Sequence, residues 1–347
     1  MKIDGLLVVD KPEGITSMDV VREVKRRFRV KKAGHLGTLD PFATGVLPVV
    51  LNEGTKTIPF LQEEPKVYEA VLKLGEETTT DDGTGSVTAR TTWDHIIPET
   101  IQAVVESFSG EIRQTPPMFS AIKVQGRPLY QLARQGIEIE RKEREVTIFD
   151  LRVQMIRLPE VHFRVSCSKG TYIRALGRDI GRVAGCGGHL LRLRRVQSGP
   201  FSIGHAIPWE TLKTLHDVQN VRPWLIPMEV LLQHLPEIIG DEQTLRKIRF
   251  GRELLGRDVA SQRLLSFGKG ESVRILSPDG KLVAICRSEV EGKDIGSLNP
   301  DGVVLKPLRV FLAPDPMLRE TICCYNPEEK SQFCDRMMTR GSGEQTG

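Results

Sequence analysis

The chain has 347 residues, room for two or three domains at about 100–200 residues each. With 39% hydrophobic and 27% charged residues it is neither a disordered nor a fibrous chain, and its formal net charge of +4 does not by itself argue for nucleic acid. No run approaches the roughly 20 apolar residues of a membrane span, and the apolar stretch in MKIDGLLVVDKP is too short for a secretory signal, so a cytoplasmic protein is expected.

The first predicted element is a strand over Leu6–Asp10, ended by the turn Lys11-Pro12-Glu13-Gly14. Ser17 is a good N-cap for a helix carrying Val20, Val21, Val24 and Phe28 at helical spacing. From Arg22 to Lys32 seven Lys or Arg face one Glu, a local net of +6, which fits either a solvated face or phosphate binding. A loop rich in Gly, Thr and Pro fills Gly34–Gly45. Val46–Leu51 and Val67–Leu74 read as strands, and Pro98–Phe108 as a helix with Gly110 just past its end. The segment Thr115–Arg144 is mixed and basic. Val146–Ile156 and Val161–Ser166 are β-rich, Thr171–Val183 is helical, and Leu190–Val196 is a strand alternating Leu with Arg. The irregular alternation predicts an α+β fold with a mixed, largely antiparallel sheet over residues 1–228. A smaller strand-rich unit follows over 229–312, and a polar, disordered tail over 313–347.

The six cysteines (Cys167, Cys186, Cys286, Cys323, Cys324, Cys334) form no C-x-x-C pair and complete no zinc pattern, so idle thiols are expected. Phosphate-loop, dinucleotide, zincin and nucleophile-elbow motifs are absent.

Two stretches carry chemistry. In Gly34-His35-Leu36-Gly37-Thr38-Leu39-Asp40-Pro41-Phe42-Ala43-Thr44-Gly45, three glycines permit close backbone approach and Pro41 biases Asp40 toward extended geometry. Asp40 there is either a turn residue or a directed carboxylate. In Cys167–Leu176, at a strand-to-helix junction, Arg174 falls in the first helical turn. It is either a surface residue or faces a pocket and grips a carboxylate with two prongs. Eight Lys or Arg between Arg164 and Arg195 against one Asp make this segment strongly basic. Thr78, Thr80 and Asp82 bunch after a strand, as in a polar hairpin turn or a site edge. Tyr68 lies in a strand, where core packing and catalysis are both open.

In order, Asp10-Lys11-Pro12, Gly34-His35 through Asp40-Pro41 to Gly45, Tyr68, Gly75 through Asp82, Pro116-Pro117 through Tyr130 to Arg134, and Gly170-Thr171-Tyr172-Ile173-Arg174 resemble the TruB family of tRNA pseudouridine synthases. The resemblance covers roughly residues 3–215, and five separated motifs, with the single residue Tyr68 between them, match in order. It implies conversion of uridine 55 in the tRNA T loop to pseudouridine without cofactor or metal. Asp40 would be the catalytic aspartate and Arg174 its partner. Tyr68 would lie against the flipped base, Tyr172 and Leu193 would line the pocket, Lys11 would support the loop, and Asp82 would sit at the edge. His35 would fill the space left by the base, whose unstacking costs roughly a few kcal/mol. Arg22, Lys25, Arg26, Arg29, Lys123 and Arg134 would contact phosphates. Segment 115–144 would close over the T loop as a thumb, mobile without RNA, and the 229–312 unit would be a PUA-like RNA-binding appendage. A monomer with no obligate protein partner is expected. Two alternatives stand: a guide-RNA-dependent pseudouridine synthase, against which Phe42-Ala43-Thr44 and the Pro-Pro insertion speak, and a non-catalytic tRNA-binding protein or folding chaperone.

Overall fold

The computed structural model describes residues 3–124, 126–259, 266–297 and 299–311. The tail expected to be disordered, with Cys323, Cys324 and Cys334, lies outside the described residues. Eight strands form the spine of a large sheet: β1 (Gly5–Lys11), β2 (Thr44–Leu51), β3 (Lys66–Leu74), β4 (Gly110–Gln114), β5 (Arg144–Arg157), β6 (Glu160–Cys167), β7 (Gly188–Ser198) and β8 (Ile207–Pro208). Their spatial order is β8-β1-β2-β7-β3-β6-β5-β4. The pairs β8/β1 and β2/β7 are parallel and the others antiparallel, so the expected mixed, largely antiparallel sheet is present.

The apolar run of β1 is explained by burial on both faces. Leu7 and Val9 point into a core shared with α1 (Ser17–Arg27), α2 (Pro98–Glu106) and α4 (Ile173–Val183); α3 (Leu129–Ala133) belongs to the thumb segment. Leu6 and Val8 point the other way, into a cluster with Leu231, Leu276, Ile285 and Phe311. That second cluster seats a five-stranded sheet on the back of the large one. Its strands are β9 (Glu237–Ile239), β10 (Leu254–Leu255), β11 (Ser272–Leu276), β12 (Leu282–Ser288) and β13 (Val303–Val310), in the order β9-β11-β12-β13-β10. The small unit also has a core of its own around Ile248, Val273, Cys286 and Val304, partly covered by α5 (Glu242–Arg249). Cys167, Cys186 and Cys286 are buried free thiols. No helix of the described residues is long and apolar enough to cross a membrane.

Two helix starts differ from expectation. Thr16, not Ser17, caps α1. Its side chain accepts from the Asp19 amide while the Asp19 carboxylate accepts from the Thr16 amide, a reciprocal capping box. Ser17 is the first helical residue and turns inward. The helix expected from Thr171 begins at Ile173, because Tyr172 stays extended with its backbone held by Gln114.

Candidate active site

Asp40 is held from three sides. Ser17 Oγ donates to the carbonyl of Leu39 (3.0 Å) and accepts from its amide (2.8 Å), so α1 fixes the residue before Asp40. The amide of Gly14 donates to Pro41 O (2.8 Å), and Ala43 N closes onto Asp40 O (3.1 Å). Below them Lys11, fully buried, spends its ammonium on three carbonyls: Ile15 (2.7 Å), Pro12 (2.8 Å) and Pro41 (3.1 Å). Burial lowers its pKa to about 8, against the opposing pull of the Asp40 charge. Lys11 thus supports the loop from beneath.

Arg174 Nε donates to Asp40 Oδ2 at 2.7 Å, and the guanidinium is almost wholly buried. The expected two-pronged grip is not formed. The other prongs go to Thr80 O and Phe119 O, each at 2.7 Å. One guanidinium therefore ties together the Asp40 loop, the loop after β3 and the base of the thumb. Asp40 Oδ1 takes no hydrogen bond from the described residues, and the side chain is 33% exposed. The arrangement is a partly exposed, oriented carboxylate with one oxygen left without a hydrogen bond from the described residues.

Asp82 is buried behind this pair, its Oδ2 3.7 Å from Arg174 Nε. Its Oδ1 accepts from Thr80 Oγ1 (2.7 Å), Thr84 N (2.9 Å) and Thr84 Oγ1 (2.5 Å), so its task is to stiffen the loop. Tyr68 is buried on β3, and Leu193, on β7, pairs across from Ala70. Burial raises the Tyr68 pKa, partly offset by the neighbouring Arg195 charge, so the phenol keeps its proton at neutral pH. Tyr172 is half-buried, and desolvation raises its pKa too. His35 sits in a short strand, Ala33–His35, beside β2. Its Nδ1 is buried without a hydrogen-bond partner, and burial together with the Arg195 charge lowers its pKa.

Sequence reading missed Arg195. Alternation on β7 puts it on the face of Leu193, opposite Arg192 and Arg194, and it is fully buried. A register shift between Leu190 and Arg192 sets Leu193 and Arg195, rather than Arg192 and Arg194, on the same face as Leu190. Its Nε donates to Val46 O (2.7 Å) and its Nη2 to Gly37 O (2.9 Å), which pins the start of the Asp40 loop. Gly45, at φ +104°, lets the chain approach this strand; a Cβ there would stand 2.1 Å from Arg195 O. Gln114 and Arg178 were missed as well.

The phosphate-binding candidates are less free than their charge suggests. Arg22 pairs with Asp19 (2.8 Å) and Arg26 with Glu23 (2.7 Å). Lys25 and Arg29 have no ion-pair partner among the described residues, and Arg29 is exposed. On the thumb Lys123 and Arg134 are exposed, Arg134 lying over the Tyr130 ring at 5.7 Å. A depression lined by Arg113, Glu143, Arg144 and Glu145 contains none of the residues around Asp40. Among the described residues no group of His, Cys, Asp or Glu is placed to hold a metal ion.

A model of the TruB family pseudouridylate synthase N-terminal domain matches residues 25–173, and one of the tRNA pseudouridylate synthase B C-terminal domain matches residues 174–233. A tRNA pseudouridine synthase B from Geobacter sulfurreducens is 46% identical over 309 residues, spanning 89% of this chain and 100% of that protein. One from Clostridium kluyveri is 42% identical over 283 residues, spanning 82% of this chain and 95% of that protein. The solved structure of a Cbf5-Nop10-Gar1 complex matches with a TM-score of 0.64 and 28% identity, covering 89% of this chain and 85% of that one. The structure of an H/ACA RNP bound to a substrate RNA matches with a TM-score of 0.65 and 26% identity, covering 90% of this chain and 86% of that one. With two family models in series over more than half its length, this chain belongs to the TruB family of tRNA pseudouridine synthases.

Proposed function

We propose that the protein isomerises uridine 55 of the tRNA T loop to pseudouridine, with Asp40 as the catalytic carboxylate. The base is first swung out of its stack, at roughly a few kcal/mol. The bond from the ribose C1′ to N1 then breaks, the uracil turns over, and C1′ joins C5. The proton on C5 leaves and N1 takes one up, so the product is an isomer of the substrate. The observation that carries this reading is the partly exposed Asp40 carboxylate, whose Oδ2 is held by Arg174 while Oδ1 takes no hydrogen bond from the described residues.

The other residues have subordinate tasks. Arg174 aims the carboxylate. Tyr68, kept protonated by its burial, presents a ring face to the uracil and a hydroxyl donor beside Arg195. Leu193 and Tyr172 bound the nucleotide. His35 is kept neutral by burial, a form suited to packing in place of the departed base. Lys25, Arg29, Lys123 and Arg134 supply phosphate contacts, with Arg22 and Arg26 able to join only by exchanging their carboxylate partners. The five-stranded unit is a PUA-like RNA-binding appendage, and the protein works in the cytoplasm as a monomer.

A stand-alone enzyme is favoured over a guide-dependent one. The relatives at 42–46% identity are named tRNA pseudouridine synthase B, whereas the complexes match at 26–28%. The deciding experiment is pseudouridine mapping of one unmodified tRNA transcript incubated with purified protein, beside Asp40→Asn. Product at position 55 with the wild type alone supports the reading. Product with Asp40→Asn removes Asp40 from the chemistry. No product without added RNA or protein favours the guide-dependent alternative, and tight binding without any product favours a chaperone.

A further inference from the structure

Arg174 has a counterpart one helical turn on. Arg178 lies at i+4 on α4, is 8% exposed, and spans the same two segments. Arg174 joins Thr80 O to Phe119 O; Arg178 joins the Asp81 carboxylate (Nη1 to Oδ2, 3.1 Å) to Thr115 O (Nη2, 3.2 Å). Its Nε donates to Asp179 (2.9 Å), so each guanidinium nitrogen has a partner and none of them is Asp40. Asp81 is held for this task at φ +59°, with its carbonyl bound by Leu190 N (3.1 Å). A third bridge flanks the two arginines: buried Gln114 donates to Tyr172 O (3.0 Å) and accepts from Tyr172 N (2.8 Å). The base of the thumb is thus fastened through Gln114, the last residue of β4, and through Thr115 and Phe119, all to α4 or the residue before it. Beyond Phe119, hydrogen bonds also run within the thumb, from Tyr130 N to Ser120 O, Leu129 N to Ile122 O and Arg141 to Pro116 O.

From this we infer that Arg178, braced by Asp81, is a positioning residue that sets the base of the thumb against the Asp40–Arg174 pair, and so controls how the thumb meets RNA. The inference rests on Asp40–Arg174 being the reaction centre. On one helix, Arg174 holds both the carboxylate and Phe119 O, and Arg178 holds Thr115 O without touching Asp40. Removing one charge-assisted bond at such a site is worth about tenfold in an equilibrium.

The test is Arg178→Lys, which can keep an ion pair with Asp81 but cannot also span to Thr115 and Asp179. Steady-state kinetics on a full tRNA transcript should show KM raised about tenfold with kcat within about twofold of wild type. Hydrogen exchange should quicken within residues 115–134 and stay unchanged in β1 and α1. An unchanged KM and unchanged exchange would overturn the proposal. So would a fall in kcat with KM fixed, which would place Arg178 in the chemistry. Should Arg178→Lys fail to fold, Asp81→Ala, which leaves Arg178 its Asp179 partner, carries the same test. Asp40→Asn and wild-type turnover are read separately, so loss of the reaction-centre assignment is distinguishable from loss of this one.

Discussion

Ser17 holds Leu39 by both ends of its backbone, donating to the carbonyl and accepting from the amide. The contact joins the first turn of α1 to the residue before Asp40 and is buried. Ser17→Ala leaves the Leu39 amide without a partner, a penalty of about 1–3 kcal/mol for a buried donor. We expect kcat to fall several-fold, because the loop loses its register. Thr16→Ala is the control. It removes the exposed cap of the same helix, costs about 1 kcal/mol, and should leave kcat alone. Equal effects on kcat from the two variants would mean that the helix as a whole, not the Ser17 contact, positions Asp40.

Arg174→Lys should be severe. A lysine ammonium has three protons, but they radiate from one atom and cannot reach Asp40, Thr80 and Phe119 together. We expect single-turnover rates to drop by at least about 100-fold, the loss typical of removing an oriented electrostatic contact at a reacting group. Affinity for tRNA, measured by filter binding, should change far less. A variant with native turnover would show that Asp40 needs no guanidinium to orient it.

Lys11 makes stability depend on pH in a defined direction. Its folded pKa of about 8 lies below the ordinary lysine value of 10.5, because burial disfavours the ammonium. Between those values the unfolded chain binds the extra proton, so the Lys11 contribution to stability increases with pH across that window. The slope is at most about 1.4 kcal/mol per pH unit. Below about pH 8 both states hold the proton and the contribution is flat. Urea unfolding at pH 7 and pH 10 should therefore show wild type gaining on Lys11→Met at the higher pH. A constant difference would mean that Lys11 is not proton-depleted on folding.

The sequence made Asp40 legible for a local reason. A carboxylate on a loop with glycines before and after it and proline behind it has its direction set by neighbours in the chain. The strands were legible because burial on both faces leaves continuous apolar runs, as in Leu6 to Val9. Arg195 was not legible, because its partners Val46 O and Gly37 O lie about 150 residues away and a register shift turns it inward. The same holds for Gln114 and Arg178, whose roles exist only once α4 meets the base of the thumb. The two-pronged Arg174–Asp40 grip failed as an expectation because backbone carbonyls compete for guanidinium protons, and no side-chain motif announces them.

The basic helix gives a prediction that separates charge from availability. Each phosphate neutralised by a protein cation contributes about 0.7–0.9 to the slope of log affinity against log salt. Arg29 is exposed with no ion-pair partner among the described residues, so Arg29→Gln should remove about one such increment. Arg26 already neutralises Glu23, with Nε at 2.9 Å and Nη2 at 2.7 Å. To bind phosphate it must first give up that carboxylate, so Arg26→Gln should change the slope by much less. Titrations of tRNA at several salt concentrations measure both. If the two variants shift the slope equally, the Glu23 pairing yields to RNA and the helix binds as a block of charge. If neither shifts it, α1 lies outside the RNA footprint and its charge serves only solvation.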